Sequence, residues 1–140
     1  LVGTVSNQRP DLFGAVVCTY PLLDMVRYHQ FLVASFWVPE YGSSEDPDQF
    51  AYIYDYSPYH NVDATADYPA TLYITGDGDT RVAPLHGRKM TALMQATHGR
   101  STPVLLRYHT DAGHSGGQPV SQQIEQMVDT VSFLLWQVGR

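Results

Sequence analysis

The segment Leu72-Tyr-Ile-Thr-Gly-Asp-Gly-Asp-Thr-Arg-Val-Ala-Pro-Leu-His86 combines a strand pattern, an acidic turn and the start of a helix. Its first three residues are aliphatic or aromatic, which is typical of a buried strand. Gly76 and Gly78 give the backbone conformational freedom directly after that strand. Pro84 suits the first turn of a helix, where its missing N–H costs no hydrogen bond. We therefore expect the acidic turn to lie at the carboxyl end of a strand, where open α/β sheets place their functional residues.

A second strand and a loop of small residues follow further along the chain. Val104 to Tyr108 predicts the strand, and Asp111-Ala-Gly-His-Ser-Gly-Gly117 predicts a tightly curled loop that carries His114. An acid and then a histidine, each on a loop after its own strand, is the second half of the Ser…Asp…His order of α/β-hydrolases. A histidine needs a carboxylate on its second nitrogen to keep the tautomer that accepts a hydroxyl proton. We expect Asp79 to provide that carboxylate, although a turn-forming aspartate and a surface histidine are the open alternative.

Three other polar residues near these loops have less specific interpretations. Asp77 is expected to be a local cap or turn former, because Asp79 lies further out along the loop. Arg81 either neutralises Asp77 or binds a carbonyl or carboxylate of a ligand with its fork of donors. His109 is expected inside the third strand, and there is no His-Glu-x-x-His or cysteine-pair spacing, so no metal site and no cofactor are predicted.

Composition excludes several classes of protein. The 140-residue, 15.7 kDa chain has a net charge of −6 and no run of basic residues, which argues against nucleic-acid or anionic-membrane binding. Its apolar stretches are shorter than the roughly 20 residues of a membrane span, and its first residues do not resemble a signal peptide. The single cysteine, Cys18, lies in an apolar strand and is expected to be an inert core thiol. One cysteine favours a reducing compartment, so we expect a cytoplasmic protein, with the periplasm as an alternative.

Periodicity predicts an α/β fold with about three parallel strands flanked by helices. The first strand is expected at Ala15 to Tyr20, as a central strand covered on both faces, and the other two as given above. Both edges of so small a sheet should be open, the edge beside the first strand being apolar. Helices are predicted at four places: Leu22 to Val33 with Asp24 as N-cap, from Pro47 through Tyr54, Pro84 to His98 before a stop at Gly99, and an amphipathic one through Ile124, Met127, Val128, Val131, Leu135 and Val138.

Several motifs, in order along the whole chain, resemble the C-terminal part of the catalytic domain of the prolyl oligopeptidase family. This family of serine peptidases has the α/β-hydrolase fold. The motifs are Asn7-Gln-Arg-Pro-Asp-Leu-Phe-Gly14, Trp37 to Gly42, Tyr56-Ser-Pro-Tyr-His-Asn61, Asp77 to His86 and Ala112-Gly-His114. The resemblance implies an endopeptidase that cleaves peptides on the carboxyl side of proline, so a proline-containing peptide is the expected partner.

The resemblance also implies residue roles. Asp79 matches the triad acid and His114 the triad base. Arg81 matches the arginine that holds a substrate carbonyl next to the scissile proline, and Trp37 the indole that stacks on the proline ring. A proline ring is flat and apolar, so an aromatic plate is a good receptor for it. The remaining implied lining of the proline pocket is Leu22, Tyr41 and Val82.

The chain departs from the family at the nucleophile. In the family a Gly-Gly-Ser-Asn-Gly-Gly turn comes shortly before a segment like Asn7 to Pro10, whereas this sequence starts at Leu1, and Ser115 is interpreted as a loop residue. The propeller, the first strands and the oxyanion donors of the family are absent too. We therefore expect residues 1–140 to be a C-terminal portion of the catalytic domain, an incomplete α/β-hydrolase fold that is inactive alone. It should self-associate or require the missing half. The alternative is a non-catalytic α/β-hydrolase-like binding or assembly module.

Overall fold

Three parallel strands form the centre of the protein. The computed structural model describes residues 1–97, 102–114 and 118–139. Within them, β1 (Ala15–Thr19), β2 (Ala70–Gly76) and β3 (Val104–His109) form one sheet in the order β1-β2-β3. Both pairings are parallel, with Val17 opposite Leu72 and Leu72 opposite Leu105. The predicted three-stranded parallel sheet is confirmed, but β2 is its central strand and β1 lies at an edge of the described part.

Five α-helices and four short 3-10 helices surround this sheet in the described residues. The α-helices are α1 (Val2–Gln8), α2 (Val38–Tyr41), α3 (Pro47–Tyr56), α4 (Leu85–Thr97) and α5 (Val120–Val138). The 3-10 helices span Pro10–Leu12, Tyr28–Gln30, Leu32–Trp37 and Pro58–His60. The helices predicted from Pro47, over Pro84 to His98 and through Ile124 are confirmed, with the second one observed at Leu85–Thr97; its predicted last residue and the stop at Gly99 lie outside the described residues.

Helices α4 and α5 cover opposite faces of the sheet. Every residue of β2 is buried, because its side chains alternate between the two layers. Tyr73 packs in a cluster with Met90 and Met94 of α4. Leu72 and Ile74 pack instead with Phe133 of α5. The sheet is therefore packed between α4 and α5, and because its strands are parallel, their carboxyl ends lie at the same end of the sheet.

The helix predicted from Leu22 to Val33 is wrong. The segment instead forms turns and 3-10 helices, and Leu32 adopts a left-handed backbone conformation with a φ of 53°. Asp24, the expected N-cap, has a fully buried carboxylate that accepts a hydrogen bond from the Arg27 backbone N–H at 3.1 Å. Its residues Met25 and Tyr28 pack into a second cluster with Ile53 of α3. Their spacing therefore indicated burial, and tertiary packing decided the conformation.

Two apolar surfaces are open in the described residues. The side chains of the amphipathic stripe of α5 are 44% to 64% exposed, although Phe133 on the other side of the helix is 5% exposed. A cavity of about 360 Å³ lies beside β1, lined by α1 and the strand itself. No helix in the described ranges is both long enough and apolar enough to cross a bilayer. The α5 stripe and the surface beside β1 are therefore not covered by other helices or strands of the described part.

Candidate active site

A tight turn after β2 buries the carboxylate of Asp79. The residue is 2% exposed, and its Oδ1 accepts hydrogen bonds from the backbone N–H groups of Arg81 and Val82, both at 2.9 Å. The Asp79 N–H donates to the carbonyl oxygen of Gly76 at 3.2 Å. Backbone donors stabilise the ionised form of a carboxylate, so one oxygen is anchored and the other is left for a further partner.

That partner is the imidazole of His114. Its Nδ1 lies 2.8 Å from Oδ2 of Asp79, and its side chain is 31% exposed. An ionised carboxylate only accepts hydrogen bonds, so a neutral imidazole in this contact carries its proton on Nδ1 and a lone pair on Nε2. The expected contact between the two side chains is present. It leaves Nε2 as the nitrogen that can exchange a proton with another group.

Backbone contacts between the loops after β2 and β3 hold Asp79 and His114 next to each other. The N–H of Asp77 donates to the carbonyl oxygen of His109 at 2.9 Å, and the N–H of Gly78 donates to that of Ala112 at 3.1 Å. A Cβ on Gly76 would lie 2.3 Å from the same Ala112 oxygen. The sequence pattern predicted backbone conformational freedom as the role of Gly76 and Gly78. Their observed role is close approach of two backbones, because Gly42 is the one glycine with positive φ in the described ranges.

Tyr20 is a residue near the site that the sequence analysis missed. It follows β1, and its ring centroid lies 5.1 Å from that of His114. Its position after a parallel strand was the available signal, since it places Tyr20 at the same edge as the acid and histidine loops.

Three of the residues expected to form a proline pocket share one apolar cluster, and a fourth lies beside it. Leu22, Trp37 and Tyr41 pack around one cluster that includes Tyr28. The guanidinium of Arg81 lies 5.9 Å from the ring centroid of Trp37. The other expected lining residue, Val82, is buried directly after Arg81 and donates to Asp79. The indole itself is half-buried. An aromatic face, a cation and the acidic turn are thus brought together.

A cavity of about 460 Å³ adjoins this cluster and is lined in part by Leu22, Met25, Tyr41 and Tyr56. Burial, together with the nearby carboxylate of Glu40, raises the pKa of Tyr41 above its ordinary value. Burial likewise raises the pKa of Tyr56. Both phenols therefore stay neutral at physiological pH, so this wall is apolar with hydroxyl groups as its polar atoms.

A buried ionic network fixes the segment behind the cluster. The carboxylate of Asp24 pairs with Arg27 at 2.8 Å and with Lys89 of α4. Burial raises the pKa of Asp24, but the two cations outweigh that effect and the net pKa is lowered. The Asp24 N–H donates to Nδ1 of the buried His86 at 3.2 Å. These contacts attach the turn that carries Leu22 to helix α4.

Other candidates do not form sites in the described ranges. No group of three or more His, Cys, Asp or Glu residues is placed there to hold a metal ion. Cys18 is buried and free, and burial raises its pKa to about 11. Ser115 lies outside the described residues. The sequence Gly113-His-Ser-Gly-Gly117 matches the Gly-x-Ser-x-Gly motif of a nucleophile elbow. Such an elbow leads directly into a helix, whereas α5 begins only at Val120, so Ser115 is not assigned as a nucleophile.

Comparison with known proteins assigns the family. The profile of the prolyl oligopeptidase family matches residues 1–140. The chain belongs to the prolyl oligopeptidase family. It is 41% identical over 140 residues to the prolyl endopeptidase of Elizabethkingia miricola, covering 99% of this chain and 20% of that protein. It is 40% identical over 136 residues to the prolyl endopeptidase of Dictyostelium discoideum, covering 95% of this chain and 18% of that protein.

Solved structures of prolyl oligopeptidase family members match the fold closely. A prolyl endopeptidase structure superposes with a TM-score of 0.93 at 48% identity, over 97% of this chain and 20% of that one. Prolyl oligopeptidase B from Galerina marginata, bound to a 35mer hydrolysis and macrocyclization substrate, gives a TM-score of 0.93 at 32% identity, over 99% and 20% of the two chains. The sheet and helices are therefore those of an α/β-hydrolase catalytic domain. The chain spans about a fifth of the length of these relatives.

Proposed function

We propose that this chain is part of a serine endopeptidase that cleaves peptides on the carboxyl side of proline. The observation that carries the proposal is the 2.8 Å contact between His114 Nδ1 and Asp79 Oδ2. The Asp79 carboxylate is fully buried, and the His114 side chain is partly open to solvent. That asymmetry suits a carboxylate that orients and an imidazole that exchanges protons.

In the proposed mechanism, one proton moves from a serine hydroxyl to His114 and then to the leaving amine. A serine hydroxyl, supplied by a part of the protein upstream of this chain, attacks the carbonyl carbon of the proline residue and displaces the amine, and water then hydrolyses the resulting acyl ester. Nε2 of His114 accepts the hydroxyl proton and then donates it to the leaving amine. Asp79 keeps the ring in the required tautomer and stabilises the imidazolium that forms. Donors for the oxyanion belong to the same upstream part.

Selection of proline is assigned to the aromatic cluster. Trp37 offers a half-buried indole face, and a proline ring packs well on such a face. Arg81 lies beside this face and beside the acidic turn, so its guanidinium can donate to a substrate carbonyl near the scissile bond. Leu22, Tyr41 and Val82 complete the apolar lining. A substrate with a large charged side chain in place of proline would leave that charge desolvated.

The 140-residue chain by itself is proposed to be inactive and incomplete. Acid and base without a nucleophile or oxyanion donors retain little catalysis. The exposed stripe of α5 and the open edge of β1 are proposed to contact the remainder of the catalytic domain. Expressed alone, the chain should self-associate, which sedimentation velocity measures. A compact, soluble 15.7 kDa monomer would contradict this part of the proposal.

The catalytic assignment is tested in the full-length parent protein. Cleavage of paired peptides with proline or lysine before the scissile bond should favour proline strongly. Asp79→Asn should lower kcat by about 10⁴-fold and His114→Ala by about 10⁶-fold. The matched control is Asp77→Asn, since this neighbouring aspartate is exposed and lies on the same turn. Equal cleavage of the two peptides, or equal losses at positions 77 and 79, would refute the assignment. Absence of cleavage by the wild-type protein would favour the non-catalytic alternative.

A further inference from the structure

Tyr20 occupies an unusual place at the end of β1. Its N–H still donates to the carbonyl oxygen of Ile74 at 2.7 Å, so the residue stays in register with β2. Its φ is 47°, in the left-handed region that bulky side chains rarely adopt. The side chain is nevertheless buried, with the residue 9% exposed. Such a conformation persists where surrounding contacts fix it.

Those contacts are made by the phenol hydroxyl. Gln118 Nε2 donates to it at 2.7 Å, and the hydroxyl donates to Oε1 of Gln126 at 3.0 Å. Gln118 lies shortly after the loop that carries His114, and Gln126 lies on α5. The hydroxyl therefore uses both its donor and an acceptor position, and the phenol is attached to two other parts of the fold.

The ring so fixed lies against the catalytic imidazole. The two centroids are 5.1 Å apart and the planes are inclined by 52°. Asp79 holds one ring atom of His114 from the β2 side. A single hydrogen bond fixes one point of the ring, whereas an adjacent aromatic surface restricts its rotation. Tyr20 reaches His114 from β1, so the imidazole is restrained from two strands.

We propose that Tyr20 is a positioning residue that keeps the imidazole of His114 in the rotamer directed at Asp79. This inference rests on the proposed function, because it concerns the proton-transfer step. Tyr20 acts through His114 and lies outside the aromatic cluster around Trp37. Its loss should therefore lower kcat and leave KM nearly unchanged.

Two substitutions in the full-length parent protein separate the hydroxyl from the ring. Tyr20→Phe removes both hydrogen bonds and keeps the aromatic surface, so we expect kcat to fall by about fivefold. Tyr20→Leu also removes the aromatic surface, so we expect a fall of roughly fiftyfold. KM for a prolyl peptide should change by less than about twofold in both.

The matched control is Tyr68→Phe. Tyr68 is 2% exposed, and its hydroxyl accepts a hydrogen bond from the Asp63 N–H at 2.9 Å. It lies before β2, at the end of the sheet away from the site, so the control should lose stability without losing kcat. Thermal unfolding of each variant measures that stability loss. A kcat within twofold of wild type for both Tyr20 variants would overturn the proposal, as would equal kcat losses in Tyr20→Phe and Tyr68→Phe.

A spectroscopic readout separates this inference from the proposed function. The proton shared between His114 Nδ1 and Asp79 should give a low-field proton NMR resonance that disappears in His114→Ala. In Tyr20→Leu that resonance should broaden or vanish, and in Tyr68→Phe it should persist. Lack of peptide cleavage by the wild-type protein would refute the proposed function, while the resonance would still decide the role of Tyr20. An unchanged resonance in Tyr20→Leu would overturn the positioning role.

Discussion

Gly76 and Ala112 lie so close that a Cβ on residue 76 would be 2.3 Å from the Ala112 carbonyl oxygen. The same oxygen accepts the N–H of Gly78, so the acid loop and the histidine loop cross in direct backbone contact. Real Cβ atoms do not approach a backbone oxygen so closely. The distance between Asp79 and His114 therefore depends on the absence of a side chain at position 76.

Gly76→Ala should separate the two loops and impair proton transfer. A displacement near 1 Å at a catalytic group can lower kcat by about a hundredfold, and overpacking at such a site costs about 1–3 kcal/mol of stability. Peptide hydrolysis and thermal unfolding of the full-length protein measure the two effects. Gly113→Ala is the control, because its Cβ would lie 3.4 Å from the nearest atom, the Gly78 oxygen, which is an ordinary contact. Equal activity of the two variants would show that activity does not depend on the close crossing of the two loops.

Trp37→Ala should weaken recognition of proline. Loss of an aromatic surface that packs on the substrate ring should lower kcat/KM for prolyl peptides by roughly 10- to 100-fold. Phe36→Ala is a matched control, because the neighbouring phenylalanine is 79% exposed and lies on the same 3-10 helix. Steady-state kinetics on one prolyl peptide compares the two. A larger loss at position 36 would exclude the indole as the main receptor.

The sheet and the acid–histidine pair were predictable from the sequence for a physical reason. Parallel strands bring their carboxyl ends to one edge, so two loops distant in sequence must be neighbours there. Their strand patterns were clear, and the order of Asp79 and His114 follows from the chain. The roles of Gly76 and Gly78 were not predictable in detail, because close approach depends on a partner loop that local pattern does not identify.

The segment around Asp24 shows the opposite case. Its helical spacing is compatible with several buried conformations, and the choice depends on Lys89, which lies far along the chain on α4. Likewise, the stripe of α5 predicts an amphipathic helix correctly but does not say what covers it. The topology places Tyr20 at the same edge as the Asp79–His114 pair, whereas its hydrogen bonds to Gln118 and Gln126 are visible only in the folded structure.

The thiol of Cys18 should be unreactive in the native protein. Burial raises its pKa to about 11, so little thiolate forms at neutral pH, and the side chain is covered on β1. Iodoacetamide treatment at pH 7.5 followed by peptide mass spectrometry should find the Cys18 peptide unmodified. The same treatment in denaturant should label it fully, which controls for detection. Rapid native labelling would show that β1 opens or is exposed.

His86 should make the protein less stable as the pH falls below neutrality. Burial lowers its pKa to about 4, whereas in the unfolded chain it has the ordinary value of about 6.5. The unfolded state therefore binds more protons between these values, and stability rises with pH through this window. The full contribution of His86 to the free energy of unfolding is present above the unfolded pKa of about 6.5, and about 2 kcal/mol of it should be lost at pH 5.

The matched variant for this prediction is His86→Gln, which keeps an acceptor for the Asp24 N–H and does not titrate. Urea unfolding of wild type and variant at pH 7.5 and pH 5 gives the difference directly. Other groups also titrate here, since burial lowers the pKa values of His60 and His109, but they are common to both proteins and cancel. We expect the wild type to lose about 2 kcal/mol more than the variant on acidification. Parallel losses in the two proteins would mean that His86 is protonated as readily in the fold as in the unfolded chain.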